Sequence, residues 1–168
     1  MLVVKEVLKF IVFVLLQFFV FEGLVLFSYA MSFMYVAYLI LLPINIGRGY
    51  LMVVAFFLGL IVDMLYNTGG VHAFASVFVA YFRPIILLKV VGERDFLSNT
   101  SLTSIAAIKW NDLAIYALVM ICLHHSLVLF VEASSFHLFF YTLWKVILSS
   151  LFTYFVFIVF HYLLKASK

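Results

Sequence analysis

Charge is what this sequence has least of. Asp, Glu, Lys and Arg make up only 10% of its 168 residues, while 68% are hydrophobic and 20% aromatic. Ordinary soluble domains carry roughly a quarter charged residues, so the shortage excludes a water-soluble fold, and the mean hydropathy of +1.30 agrees. Cysteine is nearly missing too. The single Cys122 excludes an intramolecular disulfide and any CxxC redox or zinc motif. No GxSxG elbow, paired-acid metal signature or glycine-rich phosphate loop occurs, so neither catalysis nor a cofactor is expected. Outside the apolar runs no segment is long enough for a separate soluble core, since the longest polar-leaning stretch covers only about 20 residues.

What remains is a set of apolar runs of the length a bilayer crossing needs, about 20 helical residues each. They lack the alternation of barrel strands, so helices are expected. The pattern predicts one membrane domain, residues 1–168, with six spans at about 8–27, 31–45, 50–66, 70–90, 112–131 and 137–164. A cytoplasmic loop is expected at about 91–111. The start MLVVKEVLKF, with Ser28-Tyr29-Ala30 further on, has some character of a signal peptide, but its apolar run is longer than the usual h-region and fits a first span better. Pro43 predicts a stop or kink near the end of the second span, and Pro84 does so in the fourth.

The few basic residues are unevenly placed. Lys5, Lys9, Arg48, Arg83, Lys89, Arg94, Lys109, Lys165 and Lys168 all fall on one side of the six-span topology, and the opposite connections SYAM, YNTGG and EASSF contain no Lys or Arg. By the positive-inside rule both termini and the 91–111 loop are cytoplasmic, and the basic pI reflects membrane topology rather than nucleic-acid binding. The second half of that loop, with Leu102, Ile105, Ala106 and Ile108 before Lys109-Trp110, fits either a short interfacial helix or irregular chain. Asn99-Thr100-Ser101 matches a glycosylation sequon, which a cytoplasmic position makes a chance match.

Ionisable residues within spans are costly and therefore informative. Glu22, Asp63 and Lys145 all fall in the outer half, and an internal ion pair of Lys145 with Glu22 or Asp63 is the expected use, ahead of a proton or substrate site. On the third span Ala55, Gly59 and Asp63 share one face, and on the fourth His72, Ser76 and Ala80 do, with Arg83 at the cytoplasmic end. These faces predict a tight hairpin closed by Asn67-Thr68-Gly69-Gly70. Asp63 would then accept hydrogen bonds from free backbone N–H groups at the start of the fourth span, or from His72. His72, His124, His125, His137 and Glu132 lie toward the same end, but adjacent histidines point apart on a helix and no HxxxH spacing occurs, so no metal site is expected. Lys145, Ser149 and Thr153 form a polar stripe suited to helix packing.

The stretches Gly59-Leu60-Ile61-Val62-Asp63, Gly69-Gly70-Val71-His72-Ala73 and Tyr81-Phe82-Arg83-Pro84 resemble the signature region of the bacterial rod-shape-determining MreD family. His124-His125-Ser126 and Leu129-Phe130-Val131-Glu132-Ala133 resemble its Bacteroidetes versions. The resemblance spans essentially the whole chain. It implies a non-enzymatic inner-membrane scaffold for cell-wall elongation, with a single-span MreC-like partner and, through it, MreB, RodA and the transpeptidase partner of RodA. It also implies a fold similar to the S-components of energy-coupling-factor transporters, and it transfers Gly59, Asp63, Gly70, His72 and Arg83 as structural or partner-binding positions, with Gly69 beside them in the turn. The alternative is a vitamin-binding transporter subunit. The absence of alanine from the first span, where such subunits typically carry an alanine-xxx-alanine docking face, weighs against it.

Overall fold

The computed structural model describes residues 2–21, 25–26, 29–92, 105 and 108–166. Helix α1 (Leu2–Leu16) runs directly into a π-helical turn, Gln17–Phe21. A two-residue antiparallel pairing of β1 (Val25–Leu26) with β2 (Ala30–Met31) follows, and then the short α2 (Val36–Leu41). Four long helices complete the chain: α3 (Arg48–Tyr66), α4 (Val71–Val91), α5 (Trp110–Ala133) and α6 (Phe139–Ala166), the last entered through a 3-10 turn at Phe136–Leu138. All four are long and apolar enough to cross a membrane, which makes the chain a multi-pass, all-helical membrane protein.

Two of the expected spans differ from the structure. The first helix begins at Leu2 rather than near residue 8, and ends at Phe21. The second, expected over 31–45, is helical only for the six residues of α2. Six residues rise about 9 Å, so α2 alone cannot cross a bilayer. Its burial explains why hydropathy misread it: Tyr35, Val36, Ala37, Leu39 and Ile40 are fully enclosed. A segment shielded by other helices needs apolar side chains as much as a lipid-facing span does, but it need not be helical if protein supplies its hydrogen bonds.

That supply comes from side chains on the surrounding helices. At the β2 end, the N–H of Met31 donates to Ser149 Oγ (3.1 Å) and that of Phe33 to Thr153 Oγ1 (3.3 Å). Gln17 serves both directions, its Nε2 donating to Ser32 O (3.0 Å) and its Oε1 accepting from Tyr35 N (3.2 Å). At the other end, Arg83 donates to the carbonyls of Leu42 and Pro43. Segment 31–43 thus threads the bundle interior, and polar residues of the π turn, α4 and α6 are the groups it needs. Ser149 and Thr153, expected to pack helix against helix, bond this segment's backbone, and Thr153 also meets His125 of α5.

The tightest helix pair is α3 with α4. A Cβ added at Gly59 would sit 2.5 Å from Ala73 Cα and 2.6 Å from Ala73 N, so only glycine lets the two backbones approach this closely. Ala55, Asp63, His72, Ser76 and Ala80 are all buried along the two helices. The connecting turn puts Asn67 (φ 56°), Gly69 (φ 62°) and Gly70 (φ 101°) in the left-handed region, which is why the reversal is so short. At the far end Trp110 opens α5 and stacks on His161 of α6, with ring centroids 4.9 Å apart. Ile105 and Ile108 are buried against the core. Of the stretch expected to be either a short interfacial helix or irregular chain, Leu102 and Ala106 lie outside the described residues, as does the Asn99-Thr100-Ser101 sequon.

Candidate functional site

The intramembrane polar groups converge on two places, one at the start of α4 and one around Arg83, inside the same helix. At the α3–α4 turn, Asp63 is 4% exposed. Its Oδ1 accepts from His72 N (2.9 Å) and its Oδ2 from Ala73 N (2.8 Å), and the Thr68 hydroxyl donates to Oδ1. These N–H groups are in the first turn of α4, where no helical carbonyl can reach them. No side-chain cap is present at Gly70 itself, so a carboxylate from the preceding helix does the capping. The backbone carbonyl of Asp63 meanwhile accepts from Thr68 N (3.1 Å) and helps close the C-terminus of α3. One residue therefore ends α3 and begins α4.

His72 bonds Asp63 through its backbone, which leaves the imidazole for another partner. Its Nδ1 lies 2.8 Å from the Tyr35 hydroxyl, and His124 Nε2 lies 2.7 Å from the same oxygen. Tyr35 has one proton for two imidazoles, so one histidine donates to it and the other accepts from it. His125 points elsewhere, as adjacent helical residues must. Its Nδ1 faces Ile121 O (2.9 Å), an acceptor only, so Nδ1 carries the proton; its Nε2 then accepts from Thr153 Oγ1 (2.9 Å), which itself accepts from Phe33 N. The ring of Phe33 lies within 5.1 Å of both His72 and His125. Among the described residues, no group of three or more His, Cys, Asp or Glu side chains is arranged to hold a metal ion.

Lys145 does not pair with Asp63, contrary to the expected ion pair. Both Asp63 oxygens are occupied by backbone N–H groups, and the Lys145 ammonium lies 5.1 Å from the centre of the Tyr141 ring. Glu22, the other expected partner, lies outside the described residues. The ion pair between described residues is Lys9 with Glu6, one turn apart on α1, at 2.7 Å.

Further along α4, well before its Val91 end, Arg83 is 1% exposed. It was expected to mark the cytoplasmic surface, but its guanidinium points inward, because the interior there contains two carbonyls with no helical partner. Nη1 donates to Pro43 O (3.3 Å), Nη2 to Leu42 O, and Nε to Tyr116 Oη (2.9 Å). Leu42 terminates α2 and Pro43 cannot continue it, so Arg83 caps that helix with its planar fork. No carboxylate contacts Arg83 among the described residues; its charge is compensated by carbonyl and hydroxyl dipoles.

Gln17, Tyr35 and Tyr116 were not singled out from the sequence. Gln17 was the one that could have been found, as an uncharged polar residue in the middle of an apolar run. Its position at the start of the π turn, a feature often found where side chains must be re-aimed, lets it reach Ser32, Tyr35 and, at 2.9 Å, the Tyr66 hydroxyl. No family model, curated protein or solved structure matches the chain.

Proposed function

We propose that the chain is a non-enzymatic membrane scaffold of the MreD type, binding a single-span MreC-like protein in the cytoplasmic membrane and acting in cell-wall elongation. The observation that carries the proposal is how the signature residues are used. Gly59, Asp63, Gly70, His72 and Arg83 are all engaged in building the α3–α4 hairpin and fixing segment 31–43, and no nucleophile with a neighbouring base emerges from them. A motif whose residues are consumed internally specifies a shape for a partner to read, rather than a reaction.

In this proposal the helix 2–21 and the threaded segment 31–43 count as the first two of six crossings. The Lys/Arg-free α3–α4 turn faces outward, and Arg48, Lys89 and Lys109 face the cytoplasm. MreB, RodA and its transpeptidase partner are reached through the MreC-like protein. Affinity purification of the tagged full-length chain from its native membrane tests this. An MreC-like protein should co-purify and depletion should round the cells; purification without such a partner, together with unchanged cell shape, overturns it.

A further inference from the structure

A cavity of about 330 Å³ opens at the α3–α4 turn end of the bundle, between the π turn, β1, β2, and the ends of α3 and α5. That volume lies at the lower end of small-molecule sites, roughly 300–1,000 Å³. The residues lining it include the aromatic Phe21, Phe33 and Tyr66. None of the described lining residues is Lys or Arg, and Glu132 is the one carboxylate among them. Glu132 is exposed in the last turn of α5, where free helical carbonyls add partial negative charge. The other polar lining groups are mostly committed, Thr68 to Asp63 and His72 to Tyr35. Ser32 is different: it is 2% exposed, lines the cavity, and its hydroxyl has no hydrogen-bond partner among the described residues.

Aromatic residues, a carboxylate and a buried hydroxyl, with no Lys or Arg among the described lining residues, match one ligand chemistry. We propose that this cavity binds an alkylammonium group, its cationic head over the Phe21, Phe33 and Tyr66 rings and countered by Glu132, with Ser32 as a polar contact deeper in. The rings attract the cation through their negative faces, an interaction that strengthens as water is excluded. The ammonium could belong to a zwitterionic lipid headgroup at the membrane surface or to a free amine; the chemistry recognised is the same. This goes beyond the scaffold proposal and does not depend on it.

The test uses the full-length chain in nanodiscs of phosphatidylglycerol, which carry no ammonium. Choline and ethanolamine are titrated by calorimetry alongside 3,3-dimethylbutanol, the uncharged isostere of choline. At least one cation should bind saturably, with the isostere about tenfold or more weaker. Glu132→Gln should weaken the cation about tenfold and Glu132→Lys should abolish binding, both without unfolding because the side chain is exposed. Equal binding of choline and its isostere, unchanged affinity in both Glu132 variants, or no saturation by either cation at about 10 mM overturns the proposal. Adding phosphatidylethanolamine to the discs then identifies the source: competition with the soluble cation assigns the site to a headgroup, and unchanged affinity assigns it to a free amine. Co-purification of the MreC-like partner with Glu132→Gln reports on the scaffold role separately.

Discussion

Asp63, beside the start of α4, and Arg83, further along the same helix, meet the same difficulty: a full charge buried inside the bundle. Asp63 is an anion at the start of a long helix, held by two backbone N–H groups and a hydroxyl. Arg83 is a cation at the end of a six-residue helix, held by two backbone carbonyls and a hydroxyl. Each sits at the helix end whose exposed backbone groups have the opposite polarity. The difference is in what depends on them. Asp63 closes a turn between neighbours in sequence, nine and ten residues away. Arg83 holds chain 40 and 41 residues away that has few other ways of satisfying its backbone. A buried charge is thus an entropically cheap local cap in one case and a long-range tie in the other.

The comparison breaks most sharply at Arg83. Arg83→Met removes three donors and strands the carbonyls of Leu42 and Pro43 in the core, so a loss of about 3–5 kcal/mol is expected. Thermal unfolding in detergent would measure it, and Arg83→Lys should recover only part, because one ammonium cannot reproduce a fork that reaches three acceptors. If Lys restores full stability, the planar geometry is irrelevant and only charge matters.

Gly59→Ala comes next. The added methyl collides with the backbone of His72 and Ala73, which a side-chain rotation cannot relieve, so a cost of about 1–3 kcal/mol is expected. Since the displaced backbone belongs to the residues bonded by Asp63, the Gly59→Ala and Asp63→Asn effects should be non-additive in a double-mutant cycle. Additivity would mean that the close approach and the cap are independent.

Asp63→Asn keeps one acceptor oxygen and loses the other, so about 1–2 kcal/mol is expected, seen as a lower unfolding temperature and weaker assembly with the proposed partner. Wild-type expression together with normal complex formation would show that a neutral cap suffices. The smallest effect belongs to Thr68→Val, which removes one of three contacts to Asp63 and should cost about 0.5–1.5 kcal/mol by the same unfolding assay.

The same contrast explains what could be read from the sequence. The α3–α4 hairpin was legible because its causes are local: a four-residue repeat of Ala55, Gly59 and Asp63, a facing repeat on α4, and two consecutive glycines in the turn. The threaded segment was not. Its hydropathy matched a span, but its backbone partners Gln17, Arg83, Ser149 and Thr153 are separated from it by 15 to 120 residues, and no local pattern announces such a connection. The expected pairing of Lys145 with Asp63 is missing for a related reason: counting charges suggests pairs, whereas at Asp63 the backbone N–H groups of a helix start had already taken both oxygens. His124 and His125 could be read as diverging, but not that Tyr35 would stand between His72 and His124.

Segment 31–43 also has a consequence for how the chain is made. It leaves the ribosome early, yet the hydroxyls that bond Met31 and Phe33 arrive only with Ser149 and Thr153 of α6. Until then the N–H groups of Met31 and Phe33, outside α2, lack these partners in hydrocarbon. Insertion therefore cannot proceed as a simple succession of finished helices: this segment must wait, either helical on its own or sheltered at the membrane surface, until the last helix arrives. A chain cut before α6 would be left without the partners of Met31 and Phe33, a gap in its middle rather than at its end.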